Sequence, residues 1–298
     1  MVTVDSASPK VVLITGATGG IGKVTALELA SAGYQVLFTS RDASKGHAVL
    51  KELQTYSQQT VPEVYLGDLL NMGDVRRIAL EVAARHPKLD VLINNAGGVF
   101  GERGVTMDGF ESTFAFNHLS PFLLTTLLLP NLNTAADAGG QARVVNVSSS
   151  ANQFSRMRWN DLQFSTGYSG FSAYNQSKLM NVLFSNALAR RLQGSGVTSN
   201  SLHPGIINTG FGKTVGGPLR ALYWLSNLFA ISVQQGAQTS LYLATSPEVD
   251  GVSGQYFVKQ KPAQANPLAT DQQAQERLWA LSEELLSKWL DPATVLPV

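Results

Sequence analysis

The sequence predicts an α/β protein built on a parallel sheet that is wound on both faces by helices. Between residues 10 and 205, short apolar runs rich in β-branched residues alternate with segments whose apolar residues recur every three or four positions. The runs have the length of strands, and each intervening segment has one apolar face, as helices packed on a sheet require. A glycine-rich turn directly follows the first run. We therefore predict a doubly wound α/β sheet in a single domain over 1–298.

Six strands are expected along this region, followed by smaller C-terminal additions. The six runs are KVVLIT, GYQVLFTS, VPEVYLGD, LDVLINN, ARVVNVSS and GVTSNSLHPG. Segments such as IGKVTALELASAG and MGDVRRIALEVAARH have helical periodicity. QYFV at 255–258 is predicted as a last strand, and 268–290 as a terminal amphipathic helix. We expect these C-terminal helical additions to wrap the same sheet and residues 1–9 to form a disordered or loose N-terminal tail.

The composition favours a small, uncharged partner. The chain has 22 Lys and Arg against 21 Asp and Glu, a net charge of +1, and no basic block, so neither nucleic acid nor an anionic membrane is indicated. Zero cysteines exclude disulfides, thiolate metal sites and a cysteine nucleophile. We predict no metal site because the histidines lack the spacing of metal ligands. They are His47, His86, His118 and His203.

No segment predicts export or membrane insertion. MVTVDSASP at 1–9 has neither the basic start nor the apolar core of a signal peptide. The most apolar long stretch, at 218–231, contains Arg220 and falls short of the roughly 20 residues that span a bilayer. We expect a cytoplasmic protein without a transmembrane segment, either a monomer or a homodimer.

TGATGGIG at 15–22 lies between the first strand and the first helix, the context of a dinucleotide-binding turn. Gly16 permits the tight turn, Gly20 lets a pyrophosphate approach the amides at the helix N-terminus, and Gly22 lets helix and strand pack closely. A plain glycine-rich turn is the alternative, which the flanking strand and helix disfavour. The cofactor-binding residues expected here are Gly16, Thr18, Gly19, Gly20, Ile21 and Gly22.

The end of the second strand favours NADP(H) over NAD(H). An NAD-preferring site usually places a carboxylate there for the ribose hydroxyls, but this strand ends at Thr39 and Ser40 and is followed by Arg41. A guanidinium offers forked, charge-assisted donors to a 2′-phosphate. Asp42 would favour NAD if the strand ended slightly later. We predict that Ser40 and Arg41 contact the cofactor.

Asp68 and Leu69, in LGDLLN, follow the third strand. The carboxylate of Asp68 could accept a hydrogen bond from an adenine amino group, with Leu69 beside it. An aspartate after a strand also commonly caps the next helix, so both interpretations stay open.

Tyr174 and Lys178 are four residues apart on a predicted helix and so lie on one of its faces. A phenol has a pKa near 10 and is a poor acid or base at neutral pH, but a nearby ammonium favours its phenolate. The pair could therefore handle a proton for an alcohol or ketone. Such pairs also occur on solvated helices, so the assignment depends on other motifs.

Five motifs occur in the order and strand context of the short-chain dehydrogenase/reductase superfamily. They are TGATGGIG at 15–22, NNAG at 94–97, the serines at 148–150, YNQSK at 174–178 and HPGIINT at 203–209. The chain resembles the single-domain branch of this superfamily over about residues 10–260, which implies a Rossmann fold. The glycine spacing also fits the longer epimerase and dehydratase branch, but NNAG and the modest length argue against it.

Further stretches look like the retinol dehydrogenase group and its soluble relatives. They are FNHLSPFLLT at 116–125, WNDLQF at 159–164, SKLMNVLFSNALARRLQGSGVT at 177–198 and ERLWALSEELL at 276–286. In that group the second serine of VNVSS is the active one, which is Ser149 here. Because side chains alternate along a strand, Ser148 would then face the sheet, and Ser150 would begin the following loop.

The resemblance implies a role for each matching residue. Tyr174 is the proton donor or acceptor, and Ser149 holds the substrate oxygen. Lys178 binds the nicotinamide ribose and lowers the pKa of Tyr174, while Asn117 supports a water that relays protons to the lysine. Thr209 holds the carboxamide of the cofactor. The other cofactor contacts implied are Asn95, Ala96 and Gly97 on the adenosine ribose side and Pro204, Gly205 and Ile207 beside Thr209.

The sequence thus predicts an NADP(H)-dependent carbonyl reductase or alcohol dehydrogenase that acts on a lipophilic substrate. The glycines and aromatic residues of 206–231 predict a substrate lid over an apolar pocket, and a buried helix or a subunit contact is the alternative. A serine hydrolase using Ser149 is a competing interpretation, but the GxSxG motif is absent from the chain. A nucleotide-sensing module without turnover is another, since fold alone does not establish activity.

Overall fold

The computed structural model describes residues 8–57, 59–205 and 231–290. All strands of these residues form one sheet, in the order β3-β2-β1-β4-β5-β6-β7-β8. The strands are β1 (Val11–Ile14), β2 (Gln35–Ser40), β3 (Glu63–Leu66), β4 (Val91–Asn94), β5 (Ala142–Val147), β6 (Val197–His203), β7 (Tyr256–Val258) and β8 (Lys261–Pro262). β1 to β7 are parallel, and β8 pairs antiparallel with β7. The order reverses beside β1, so a crevice opens where the carboxyl ends of β1 and β4 meet.

Helices cover both faces of the sheet. They are α1 (Gly20–Ser31), α2 (Ala43–Tyr56), α3 (Met72–Arg85), α4 (Ser112–Phe114), α5 (Ser120–Asp137), α6 (Gly170–Arg191), α7 (Val233–Thr245) and α8 (Gln272–Leu286). A π-helical turn, Ala115–Leu119, joins α4 to α5. Leu13 of β1 packs in one hydrophobic cluster, with α3, α5 and α6, whereas Val12 and Ile14 pack in the other, with α1 and α7. The continuous apolar runs in the sequence follow from this burial on two faces.

The doubly wound α/β prediction is confirmed, with two differences near the C-terminus. The short strand β8 was not predicted, because its two residues are exposed and carry no apolar pattern. The terminal helix, predicted over 268–290, begins only at Gln272, since the Asp271 carboxylate accepts hydrogen bonds from Gln273 N and Ala274 N and caps it there. A 3₁₀ turn, Pro267–Thr270, precedes it.

The C-terminal helix α8 packs over α5 and α6 through an aromatic cluster. The ring of Trp279 lies 4.8 Å from that of Phe122 and 5.9 Å from that of Phe184, between centroids. The Ser282 Oγ lies 2.8 Å from His118 Nε2, and His118 is fully buried. His118 therefore has a structural role between α8 and the π turn. No helix among the described residues has the length and apolarity needed to cross a membrane.

Candidate active site

The glycine turn after β1 has the backbone that its sequence requires. Gly16 and Gly20 have φ of 70° and 55°, in the left-handed region. A Cβ on Gly22 would lie 2.4 Å from Gly16 O, so only glycine lets α1 pack this closely against the turn. Gly19 is the N-cap of α1 and makes no side-chain capping bond.

The N-terminus of α1 is open on the side of the turn. A Cβ on Gly19 would meet no heavy atom within 4 Å, and Thr18 and Ile21 are partly exposed beside it. Amides of a first helical turn lack intrahelical partners and carry the positive end of the helix dipole. These residues therefore fit a pyrophosphate group, as a dinucleotide cofactor requires.

Asn95 fastens the glycine turn to the end of β4. Its Nδ2 donates to Thr15 O at 2.9 Å and to Gly16 O at 3.2 Å. The amides of Asn95 and Ala96 both donate to Thr15 Oγ1 at 3.0 Å. The sequence predicted Asn95 and Ala96 at the adenosine ribose, whereas the Asn95 side-chain amide in the structure builds the turn itself.

In the turn after β2, Arg41 is exposed, whereas Ser40 and Asp42 make hydrogen bonds. The Asp42 carboxylate accepts from Lys45 N at 3.1 Å and caps α2, and Ser40 Oγ donates to Asp42 O at 2.7 Å. No hydrogen bond or ion pair of the Arg41 side chain is seen within the described ranges. Asp42, the residue that could favour NAD, thus has a structural role as a helix cap.

Asp68 and Leu69, the two residues after β3 that the sequence predicts at the cofactor, have different surroundings. Asp68 Oδ1 accepts from Leu70 N at 3.0 Å, and Asn71, not Asp68, caps α3. The helix-cap interpretation of Asp68 is therefore wrong. Leu69 is 6% exposed and belongs to the core, so only its backbone could reach a cofactor.

The three serines after β5 have different environments. Ser148 is buried, and its Oγ donates to Lys178 O at 2.7 Å. Ser149 is partly exposed and hydrogen-bonded through its side chain to Tyr174. Ser150 begins a 3₁₀ turn, Ser150–Phe154. Of the three, Ser149 is therefore the serine whose side chain acts on the pKa of Tyr174.

Lys178 lies beneath this pair, held by the sheet. It is 3% exposed, its Nζ donates to Val147 O at 3.0 Å, and it lies 5.6 Å from the ring centroid of Tyr174. Burial lowers the pKa of Lys178 to about 8. A Cβ on Gly97 would lie 3.1 Å from Lys178 Nζ and 3.3 Å from Asn117 Oδ1. Glycine at the end of NNAG therefore gives both side chains room.

Burial is the largest influence on Tyr174 and raises its pKa to about 12. The hydrogen bond from Ser149 acts in the opposite direction and is the weaker effect. The resemblance implied that Lys178 would lower this pKa, but the net direction here is upward, because removing a phenolate from water costs more than the serine restores.

Asn117 is fully buried in the π-helical turn. Its Oδ1 accepts from Gly98 N at 2.8 Å, while Nδ2 donates to Gly98 O and to Ser177 Oγ, both at 2.9 Å. The side chain therefore ties the loop after β4 to α6. A π turn is a feature frequent at functional sites, and the water relay that the resemblance implies at Asn117 stays a prediction.

Gln176, within YNQSK, supports the helix that carries Tyr174 and Lys178, a role that the sequence interpretation missed. It is buried, its Oε1 accepts from Arg158 N at 2.7 Å, and its Nε2 donates to Leu162 O at 2.9 Å. Gln176 thereby fastens α6 to the enlarged loop before Tyr174. Its signal in the sequence was only its place between Tyr174 and Lys178.

The segment after β6 is described only at its start. Pro204 and Gly205 follow β6, Gly205 has a φ of 102°, and a Cβ there would lie 2.3 Å from Ile231 Cδ1. Ile207, Thr209 and nearly all of the predicted lid over 206–231 lie outside the described residues. Among the described residues there is no cluster of three or more potential metal ligands.

This fold, with its crevice, glycine turn and Ser-Tyr-Lys group, defines an oxidoreductase of alcohols or carbonyls that depends on a nicotinamide cofactor. The chain belongs to the short chain dehydrogenase family, whose model matches residues 10–217.

Two relatives place the chain in the retinol dehydrogenase-like group of this family, as the sequence predicted. The chain is 40% identical to mouse retinol dehydrogenase 14 over 293 residues, covering 93% of this chain and 86% of the relative. It is 42% identical to human retinol dehydrogenase 12 over 282 residues, covering 94% and 87%.

Two solved structures show the same fold. An uncharacterised protein from Mycobacterium paratuberculosis aligns with a TM-score of 0.76 at 35% identity, covering 97% of this chain and 95% of that one. RhlG from Pseudomonas aeruginosa, in an active-site complex with NADP, aligns with a TM-score of 0.68 at 26% identity, covering 86% and 97%.

Proposed function

We propose that the protein is an NADP(H)-dependent carbonyl reductase or alcohol dehydrogenase for lipophilic substrates. The observation that carries this proposal is the grouping at Tyr174: the Ser149 side chain lowers its pKa, and the buried Lys178 Nζ lies 5.6 Å from its ring centroid. A bound nicotinamide cofactor supplies or accepts the hydride. Gly97 brings the end of β4 against Lys178, so the proton-handling group lies beside the crevice that fits the dinucleotide.

Each side chain has a defined task in this proposal. The Ser149 hydroxyl donates to the substrate oxygen and polarises the carbonyl. Tyr174, whose pKa is about 12, keeps its proton at neutral pH and donates it to that oxygen, which favours reduction. The ammonium of Lys178, with a pKa of about 8, is mostly charged at pH 7 and stabilises the phenolate that forms.

A lipophilic substrate is supported by aromatic side chains beside Gly98 and by exposed ones close in sequence to the proposed catalytic residues. Phe100 and Phe116, between β4 and Asn117, contact edge to face with centroids 6.3 Å apart. Phe154 and Phe171, close in sequence to Ser149 and Tyr174, are 81% and 51% exposed. The relatives are named for retinol, a polyene alcohol, which agrees with such a surface.

A screen of NADPH consumption over aliphatic, aromatic, steroid and retinoid carbonyls tests the proposal. We expect the highest kcat/KM with bulky apolar carbonyls. Binding of NADPH without consumption for any class would contradict the proposal and favour the nucleotide-sensing alternative.

Cofactor preference is tested by Arg41→Asp. We expect the apparent KM for NADPH to rise by the equivalent of about 2–4 kcal/mol, because a charge-assisted contact is lost and a repulsion is introduced. The KM for NADH should change little. Lys51→Asp, an exposed position on α2, makes the same charge change as a control. Equal losses with both cofactors would show that Arg41 only supports the fold.

The serine assignment is tested by three alanine substitutions. Ser149→Ala should lower kcat by about 10²- to 10³-fold, as loss of a donor to the reacting oxygen does. Ser148→Ala removes a buried hydrogen bond to Lys178 O and should cost about 1 kcal/mol of stability with a smaller effect on turnover. Ser150→Ala should be nearly neutral. A larger kcat loss in Ser150→Ala than in Ser149→Ala would place the active hydroxyl one residue later.

A further inference from the structure

Hydrogen bonds connect Asn266, in the C-terminal segment between β8 and α8, through Asn152 to the backbone of Ser149. Asn152 is fully buried, and its Nδ2 donates to Ser149 O at 2.6 Å. Its Oδ1 accepts from Asn266 N at 2.9 Å. Asn152 N also donates to Ser149 O at 3.1 Å, so the carbonyl next to the active hydroxyl is held by two donors of one residue.

Asn266 binds the whole turn that follows Ser149. Its Nδ2 donates to Asn152 O at 3.1 Å, to Ser155 O at 3.0 Å and to Gln153 O at 3.4 Å. Its Oδ1 accepts from Leu268 N at 2.9 Å. The amide hydrogens of Asn266 are therefore shared among three carbonyls of residues 149–155, the serine turn, and join the segment after β8 to it.

The β7–β8 hairpin brings Asn266 to this position. Lys259 and Gln260 both have positive φ, 51° and 62°, the backbone of a tight two-residue hairpin turn. Ala263 N then donates to Tyr256 O at 2.8 Å, which directs the chain back towards the serine turn. The strand β8, which the sequence did not predict, thus helps to bring Asn266 to the turn that follows Ser149.

Tyr256, on β7, lies in the same buried region. It is 4% exposed, and its pKa is raised to about 12, mainly by burial and to a smaller extent by the nearby Tyr174. The Asn152 side chain acts in the opposite direction on this pKa, although the Tyr256 hydroxyl and Asn152 do not meet the full geometry of a hydrogen bond. The side chain of Asn152 thus contacts both Asn266 N and the Ser149 carbonyl and lies near the Tyr256 hydroxyl.

We propose that Asn152 and Asn266 are positioning residues that hold the serine turn so that the Ser149 hydroxyl meets Tyr174 and the substrate oxygen. The inference rests on the proposed function. A displacement of about 1 Å in a reacting group can cost about 10²-fold in rate, and the Ser149 carbonyl keeps only one of its two donors when the Asn152 amide is removed. The C-terminal segment around Asn266 is then part of the active site, although it touches no reacting atom.

The test uses Asn152→Ala and Asn266→Ala in the full-length chain, each alone and combined with Ser149→Ala. We expect kcat to fall about 10- to 100-fold in each single variant, with the Kd for NADPH changed less than about threefold. In the Ser149→Ala background the same substitutions should lower kcat by less than about threefold, because their effect on kcat acts through Ser149. Gln153→Ala, which removes only an exposed bond to Gln264 O, is the matched control.

Hydrogen exchange gives a readout that does not depend on turnover. Amides of residues 149–155 should exchange faster in Asn266→Ala than in the wild type or in Gln153→Ala. Asn266 is only partly buried, so this variant tests the idea even if Asn152→Ala fails to fold. Unchanged exchange, or an equal kcat loss with and without Ser149, would overturn the proposal. A wild type that consumes no NADPH would instead refute the proposed function, while exchange would still decide whether Asn266 holds the turn.

Discussion

Replacing Tyr174 with phenylalanine should lower kcat by about 10²- to 10⁴-fold, the range of a general acid or base. The ring and its packing survive, so NADPH binding should stay within a few fold of the wild type. The loss follows from the hydroxyl alone, which the Ser149 side chain contacts and which keeps its proton at neutral pH.

Steady-state turnover of a carbonyl found in the screen, together with a fluorescence titration of NADPH, separates the two effects. Tyr56→Phe, at an exposed position near the end of α2, is the matched control and should leave both values unchanged. Retained turnover in Tyr174→Phe would remove this tyrosine from the mechanism.

The same variant should change the response of stability to alkaline pH. Because the folded-state pKa of Tyr174 is about 12 and the unfolded value is near 10, the folded chain binds the extra proton between these values. The stability that this proton contributes is present below pH 10 and is lost as the pH rises towards 12. Tyr174→Phe should therefore lose less stability across that window than the wild type does.

Trp279→Ala should destabilise the protein by about 3–5 kcal/mol, as removal of a buried tryptophan does. Trp279 is 2% exposed, packs on Phe122 and Phe184, and has Arg191 over its ring at 4.1 Å. The substitution leaves a cavity where α8 covers α5 and α6. Urea unfolding followed by circular dichroism measures the loss.

Trp279→Phe is the matched variant and should cost much less. Phenylalanine keeps an aromatic ring in the cluster, and the Trp279 Nε1 that it removes has no hydrogen-bond partner within the described part of the chain. A loss below about 1 kcal/mol in Trp279→Ala would show that α8 is not held by this cluster.

Patterns set by local geometry were readable in the sequence. The alternation of apolar runs and helical segments predicted the doubly wound sheet, since strands have a period of two and helices one of 3.6. The four-residue spacing of Tyr174 and Lys178 put both on one face of α6. The family resemblance indicated Ser149, and strand alternation then set Ser148 apart from it; in the structure Ser148 Oγ donates to Lys178 O.

The tertiary structure alone decided how these residues are supported. Asn95 binds the glycine turn from about 80 positions away, and Asn266 binds Asn152 from 114 positions away. Such contacts depend on the order of strands in the sheet, which brings distant segments together without any sequence spacing to reveal them. The raised pKa of Tyr174 was also beyond the sequence, because burial, which depends on the packing of the whole chain, outweighs the local hydrogen bond from Ser149.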